Sequence, residues 1–254
     1  MSPIAASVFI LTKNEAHNIE RVLTSVQDFE DIVVLDSGST DNTVELARQF
    51  TDRVYVKPWL GWSRMSDLAA EMCLHDWVLK LDADEEATPE LLNEIRAALP
   101  DQALSGLCIP FDDRFLSLPN SPWIRKNAKV RFWRKSRGHF GDEYVHEGVQ
   151  LTGPVREGKG CIIHYGESSI STKLLKNDTY STLKAQERFD GGRRFSLIAL
   201  LFAFPLTFMR SYILRRSFCN GIRGFIGSAI NALYAFLKEA KLYELELKHG
   251  KRKR

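Results

Sequence analysis

The sequence predicts an α/β protein, a mostly parallel sheet with helices on both faces, followed by a C-terminal helical extension. Three observations carry this. Between residues 8 and 99, apolar runs of strand length alternate with segments of helical periodicity. The runs are continuous and apolar, as in strands covered on both faces. Past residue 195 the pattern changes to one long apolar run and one long amphipathic stretch, both edged with arginine.

Val8–Leu11 is β-branched and aromatic and ends at Thr12-Lys13-Asn14. Ile19, Val22, Leu23 and Val26 then recur at helical spacing. Ile32–Leu35 is a second buried run, closed by Asp36-Ser37-Gly38-Ser39-Thr40. Thr40 or Asp41 can cap the helix that carries Val44, Leu46 and Ala47. Val54–Val56 reads as a third strand and residues 64–74 as helix. Trp77–Leu81 is a fourth strand that runs straight into Asp82-Ala83-Asp84-Glu85. Thr88-Pro89-Glu90 opens a helix with proline at its first position, ending at about Leu99. In open sheets of this kind ligands bind beyond the carboxyl ends of the strands. Thr12–Glu15, Asp36–Thr40 and Asp82–Asp84 are therefore expected to meet at one edge. Residues 105–165 are irregular and rich in aromatics, Gly and Pro. Val130–Trp133 and Gly160–His164 there read as strands of a mixed, partly antiparallel extension.

Leu197–Leu206 is apolar apart from the break at Pro205 and lies between Arg193-Arg194 and Arg210. It is shorter than the roughly 20 residues that a membrane span needs. Ile222, Phe225, Ile226, Ala229, Ile230, Leu233, Phe236, Leu237 and Ala240 follow the rhythm of an amphipathic helix. The chain closes on Lys251-Arg252-Lys253-Arg254. The domains are placed at residues 1–170, the sheet-bearing body, and 171–254, the basic helical region.

A hydrophobic fraction of 44% and a charged fraction of 26% exclude global disorder. The net charge is only +3, yet residues 1–172 hold 18 Lys/Arg against 26 Asp/Glu, and residues 173–254 hold 17 against 6. Such asymmetry implies an anionic partner for the second part, a membrane surface or a nucleic acid. Its basic residues are interleaved with long apolar stretches rather than with a reading helix or an aromatic platform. The membrane surface is the expectation, and no nucleic acid. Cys73, Cys108, Cys161 and Cys219 lie far apart without a CxxC pair, which predicts reduced thiols in a cytoplasmic protein. The N-terminal residues show neither the basic nor the long apolar region of a signal peptide.

The sharpest chemical signal is Asp82-Ala83-Asp84. Residues two apart on a strand point the same way, so the two carboxylates can face one ligand, and Mg²⁺ typically takes one or two carboxylates plus substrate phosphates. The competing reading is a solvated acidic turn before a helix, with Glu85 and Glu86 serving its dipole. Asp36 can accept hydrogen bonds from a ribose hydroxyl or a base N–H, or from its own backbone two residues on; both readings stand. Thr12–Glu15 alone reads as a helix cap. Glu147, in Tyr144-Val145-His146-Glu147-Gly148, can act as a general base or form a surface ion pair. His164, after Ile162-Ile163, is a structural histidine or a ligand.

Taken together, Thr12-Lys13-Asn14-Glu15, Val33-Val34-Leu35-Asp36-Ser37-Gly38-Ser39-Thr40-Asp41-Asn42-Thr43 and Trp77-Val78-Leu79-Lys80-Leu81-Asp82-Ala83-Asp84-Glu85 resemble glycosyltransferase family 2, with its GT-A fold. Val130-Arg131-Phe132-Trp133-Arg134, Val145-His146-Glu147, His164 and the C-terminal helices extend the resemblance to the lipopolysaccharide core β-glucosyltransferases of the WaaE/KdtX type. The resemblance implies an inverting, metal-dependent hexosyltransferase that uses Mg²⁺ or Mn²⁺. A hexose, glucose in that subfamily, would pass from a UDP-sugar to a lipid-linked saccharide in the heptose region of the inner core. It implies that Thr12, Glu15 and Asp36 line the uridine pocket and that Asp82 lies by the ribose and diphosphate. Asp84 would ligate the metal with His164 as a second ligand, Arg64 would touch the diphosphate, and Glu147 would be the base. His146-Glu147 replaces the usual Glu-Asp pair, and Arg64-Met65-Ser66-Asp67 departs from the family's common pattern. A peripheral enzyme on the cytoplasmic face of the inner membrane follows; the oligomeric state is left open. Other family 2 acceptors are the alternative. A nucleotidyltransferase would need a Gly-rich phosphate loop that Thr12–Glu15 does not offer, and a basic nucleic-acid- or membrane-binding protein is the non-enzyme reading.

Overall fold

In the computed structural model, which describes residues 2–141 and 148–249, the chain opens with β1 (Ile4–Thr12), α1 (Ile19–Ser25), β2 (Phe29–Asp36), α2 (Thr43–Ala47), β3 (Val54–Val56), α3 (Trp62–Met72) and β4 (Trp77–Asp82). β1 pairs in parallel with β2 on one side and β4 on the other, and β3 pairs beyond β2. Alternate side chains of β1 enter two separate cores, because successive residues of a strand point to opposite faces. Val8 and Ile10 pack in one cluster with Ile19, Val22 and Leu23 of α1, while Phe9 and Leu11 join Met65 and Ala69 of α3 in the other. Covered on both sides, the strand needs apolar residues at every position.

The chain continues through β5 (Glu85–Ala87), α4 (Pro89–Ala98), β6 (Gly106–Phe115), β7 (Asn127–Arg134), β8 (Gly138–Phe140), β9 (Val149–Leu151), β10 (Val155–Glu157) and β11 (Ile162–Glu167). The sheet order is β3-β2-β1-β4-β7-β6-β11-β5, with β10 beside β6. β7 runs antiparallel to β4 and β6, and β11 antiparallel to β5. β8 and β9 form a separate antiparallel pair. The sheet is thus parallel in its first half and mixed in its second.

Some local expectations shift. Residues 85–87 are not a solvated turn at a helix start. They form the strand β5, and Glu85 is only 2% exposed, because Arg131 reaches its carboxylate from β7. The helix begins at Pro89, where the Thr88 hydroxyl accepts the Leu91 N–H at 3.3 Å. α2 is a single short turn with Asn42, not Thr40 or Asp41, at its cap; Asp41 instead accepts the Thr43 N–H at 3.1 Å. α3 starts two residues before the expected 64 and stops at Met72, since Cys73 is extended.

Two compact units form: Met1–Asp112 with Asn127–Gly166, and Asp113–Lys126 with Glu167–Arg254. The second contains α5 (Ile170–Asp190), α6 (Leu197–Met209) and α7 (Gly221–Lys248). Ala185 and Phe189 of α5 pack on Leu242 of α7, and Arg188 pairs with Glu239 at 2.6 Å. α6 packs along α7, with Phe208 edge-on to Phe225 at 5.4 Å. The apolar run does not end at Leu206. It continues through Met209 into a π-helical turn, Arg210–Leu214, because Thr207–Met209 keep it apolar and Arg210 is its only charge. Leu197–Leu214 is 18 residues long with mean hydropathy 1.8 and only 6% buried, and among the described residues it is the one helix long and apolar enough to cross a membrane. Residues 250–254, with the terminal basic cluster, lie outside the described residues.

Candidate active site

Register brings the three polar clusters together. In the β1–β2 ladder Thr12 is opposite Asp36, and in the β1–β4 ladder Leu11 is opposite Asp82. The carboxyl ends of the three strands therefore lie side by side.

The tips of β1 and β2 are laced to each other. The Asn14 N–H donates to Ser39 Oγ and the Thr40 N–H to Asn14 Oδ1, both at 2.8 Å. The Glu15 N–H donates to Thr43 Oγ1 at 2.8 Å. Asp36 is fully buried and uses its carboxylate within its own turn. Oδ1 accepts the Gly38 and Ser39 N–H groups at 2.8 Å, and Oδ2 takes the Ser39 hydroxyl. Of the two readings of Asp36, the structure displays the turn. Gly38 at φ +90 is what lets the backbone close on that carboxylate. The Glu15 carboxylate accepts from Asn18 Nδ2 at 2.7 Å.

Two polar atoms at these tips are buried with no hydrogen-bond partner among the described residues, Thr12 Oγ1 and Asp82 Oδ1. Burying such an atom unpaired is costly. The other Asp82 oxygen, Oδ2, lies 3.3 Å from Arg131 Nη2, which also reaches Glu85 Oε1 at 3.0 Å. Glu85 Oε2 accepts the Asp82 N–H at 2.9 Å. Burial alone would raise the Asp82 carboxyl, but the Lys80 and Arg131 charges outweigh it and hold the group down at about 2. Burial pushes Glu85 the other way, up to about 7, against the pull of Arg131 and with the Asp82 charge adding to the rise. The two carboxylates thus divide their roles: Asp82 keeps its charge and Glu85 shares the local cation.

Asp84 and His164 meet although 80 positions separate them. β11 pairs with β5 so that His164 is opposite Glu85, and the Tyr165 N–H donates to the Asp84 carbonyl at 2.9 Å. His164 Nε2 lies 3.3 Å from Asp84 Oδ2. The carboxylate is a ligand that Mg²⁺ or Mn²⁺ takes, whereas imidazole is more usual on later transition metals. No group of three or more His, Cys, Asp or Glu able to hold a metal occurs among the described residues. Gly166 keeps the place open. A Cβ there would stand 2.5 Å from His164 Nε2 and 2.8 Å from Asp84 Oδ2. Gly166→Ala is expected to weaken manganese binding in the presence of UDP by about tenfold or more, measured by calorimetry, with little change in melting temperature.

Arg64 is exposed on α3, which packs on β1 and β2; the structure shows no bond joining it to Asp82 or Asp84. Glu147 lies outside the described residues. Arg131, Glu85 and Gly166 are the site residues that sequence reasoning passed over. Arg131 had a visible signal, a charge inside the strand Val130–Trp133, whereas Gly166 had none.

The carboxyl ends of β1, β2 and β4 thus set Thr12, Asp36 and Asp82 along one edge, with the Asp84–His164 pair just beyond β4. Residues 7–152 match glycosyl transferase family 2, and the chain belongs to that family. It is 31% identical over 249 residues to the lipopolysaccharide core biosynthesis glycosyltransferase LpsC of Rhizobium meliloti, covering 94% of this chain and 92% of that one. It is 33% identical over 264 residues to an uncharacterized glycosyltransferase of Rickettsia typhi, covering 95% and 88%. Among solved structures, glucosyl-3-phosphoglycerate synthase from Mycobacterium tuberculosis with Mg²⁺ and UDP aligns over 42% of this chain and 43% of that one, at 23% identity and a TM-score of 0.38.

Proposed function

We propose that this glycosyltransferase moves a hexose, glucose, with inversion from a UDP-sugar to a lipid-linked saccharide in the heptose region of the lipopolysaccharide inner core. The observation that carries the reading is the Asp84–His164 pair beside Asp82, at the tips of strands whose Thr12 and Asp36 stand opposite each other. Similarity to a core biosynthesis transferase over nearly the whole chain supports the acceptor class.

Thr12 and Glu15 line the uridine pocket, with Asp36 shaping it through the Gly38–Ser39 turn. The orphaned Asp82 Oδ1 takes a donor hydroxyl of the ribose, and Arg64 reaches the diphosphate. Asp84 and His164 hold Mg²⁺ or Mn²⁺, which when bound stabilises charge on the departing diphosphate as a Lewis acid. Glu147 removes the proton of the acceptor hydroxyl as that oxygen attacks the anomeric carbon from the face opposite the diphosphate. The domains follow as residues 1–170 for catalysis and 171–254 for attachment. The basic helical region holds the enzyme on the cytoplasmic face of the inner membrane, each Lys or Arg near an anionic leaflet contributing about 1 kcal/mol.

The test is UDP release, screened over several UDP-sugars with and without a truncated, heptose-containing lipid acceptor. UDP-glucose should give acceptor-dependent turnover. Release of pyrophosphate, or turnover indifferent to the acceptor, would contradict the reading. Glu147→Gln should lower kcat by about 10²–10⁴-fold while UDP-plus-manganese affinity stays unchanged; a fall in affinity instead would make Glu147 a binding residue.

A further inference from the structure

Residues 113–126, the end of β6 and the loop that leads to β7, belong by contact with the C-terminal helices. The bonds that place them there are specific. Arg223 of α7 donates to the carbonyls of Phe115, Leu118 and Pro119 at 3.3, 2.7 and 2.6 Å. Asn220 accepts the Ser121 N–H at 2.8 Å and donates to Asn120 at 2.6 Å. The Arg125 N–H donates to the Arg215 carbonyl at 3.2 Å, where the apolar helix ends. Leu116 and Ser117 are held at φ 58 and 56, a left-handed conformation that non-glycine residues adopt only under constraint. The loop is therefore fixed, and what it displays is fixed with it.

It displays apolar side chains. Trp123 is 69% exposed and Leu118 53%, and the helix ends that hold the loop expose Leu214, Phe218 and Ile222, the last at 80%. Charge identifies the partner. Residues 191–238 contain no Asp or Glu and seven Lys/Arg; residues 113–126 carry Arg114, Arg125 and Lys126 against the single acid Asp113. A second copy of the chain on this surface would set like charges against each other, whereas an anionic leaflet is complementary to it. Arginine pairs flank the apolar helix at both ends, Arg193-Arg194 and Arg215-Arg216. A helix lying in the interface keeps both pairs among headgroups, whereas a spanning one sends a pair across.

We propose that Asp113–Lys126 is a lipid-contacting loop. Trp123 and Leu118 enter the headgroup–acyl boundary of an anionic leaflet beside the Leu197–Leu214 helix, and Arg125 and Lys126 meet the lipid phosphates. This deepens the membrane attachment proposed above and rests on it.

The test uses the full chain, without nucleotide, and phosphatidylcholine vesicles with or without phosphatidylglycerol. The double variant Trp123→Ala, Leu118→Ala should partition onto the anionic vesicles about tenfold less than the parent. Arg125→Glu, Lys126→Glu should lose the preference for phosphatidylglycerol. Brominated acyl chains should quench part of the parent's tryptophan emission and spare Trp123→Phe, which keeps an aromatic ring and so preserves the loop. Equal partitioning of parent and double variant, equal quenching of parent and Trp123→Phe, or a dimer that the double variant abolishes would each overturn the proposal. UDP-plus-manganese binding on the same preparations separates the two readings. Its absence with vesicle binding intact defeats the transferase site and leaves the loop assignment standing.

Discussion

Asp84→Ala is expected to lower kcat by about a thousandfold, the several kcal/mol that Lewis-acid stabilisation of a leaving group supplies, and to leave the fold intact. The Asp84 carbonyl accepts the Tyr165 N–H at 2.9 Å, and alanine keeps that bond. Its side chain meets His164 at 3.3 Å. Removing the carboxylate would take away one of the two protein ligands proposed for the metal, at a place where the described residues offer no third. Steady-state UDP release measures the rate, and manganese paramagnetic resonance with UDP present measures the metal independently of turnover. His164→Ala should move both in the same direction by a smaller amount, as loss of the neutral ligand. Normal manganese binding in Asp84→Ala would relocate the metal site, whatever the rate.

Arg131→Met should cost about 3–5 kcal/mol of stability, the usual result of breaking a buried ion pair by removing one partner. The guanidinium lies 3.0 Å from Glu85 and 3.3 Å from Asp82, and it stands 5.1 Å over the Phe111 ring. Its loss leaves two carboxylates together, one of them almost wholly shielded from water. Urea unfolding should show a lower midpoint with an unchanged slope. Adding Glu85→Gln should recover a large part of the loss, because the amide removes the uncompensated charge while keeping the acceptor for the Asp82 N–H. Failure of the second change to rescue would mean that Arg131 stabilises through packing on Phe111 rather than through charge.

Where one residue type at a regular spacing carried the information, the fold was legible in the sequence. Val8–Leu11, Ile32–Leu35 and Trp77–Leu81 announce covered strands, and their polar ends announce a shared edge; the register of Thr12 with Asp36 makes that edge real. α5 was not marked, because its buried positions are Lys173, Ser181, Ala185 and Phe189, too few and too polar to give a stripe. β5 escaped for a related reason. Glu85 and Glu86 look like solvent-facing residues, and only a tertiary partner 46 positions away makes Glu85 an interior one. At the site, Asp82 and Asp84 could be read as a candidate pair, although Asp84 lies in the turn between β4 and β5 and not on the strand. Gly166 could not, since its role is the absence of an atom beside two side chains brought in from elsewhere. Nor could the loop 113–126, whose partners in α7 lie about a hundred residues downstream.

The union of Asp84 with His164 depends on β11, the last strand of the sheet to be synthesised. A cation held by that pair, as proposed, would recognise only a chain whose sheet has already closed. Mass action then favours the closed form over any partly assembled one. Were the proposed site to hold a divalent metal, that ion would act as a late check on assembly, rewarding completion of the sheet before the first sugar is handled.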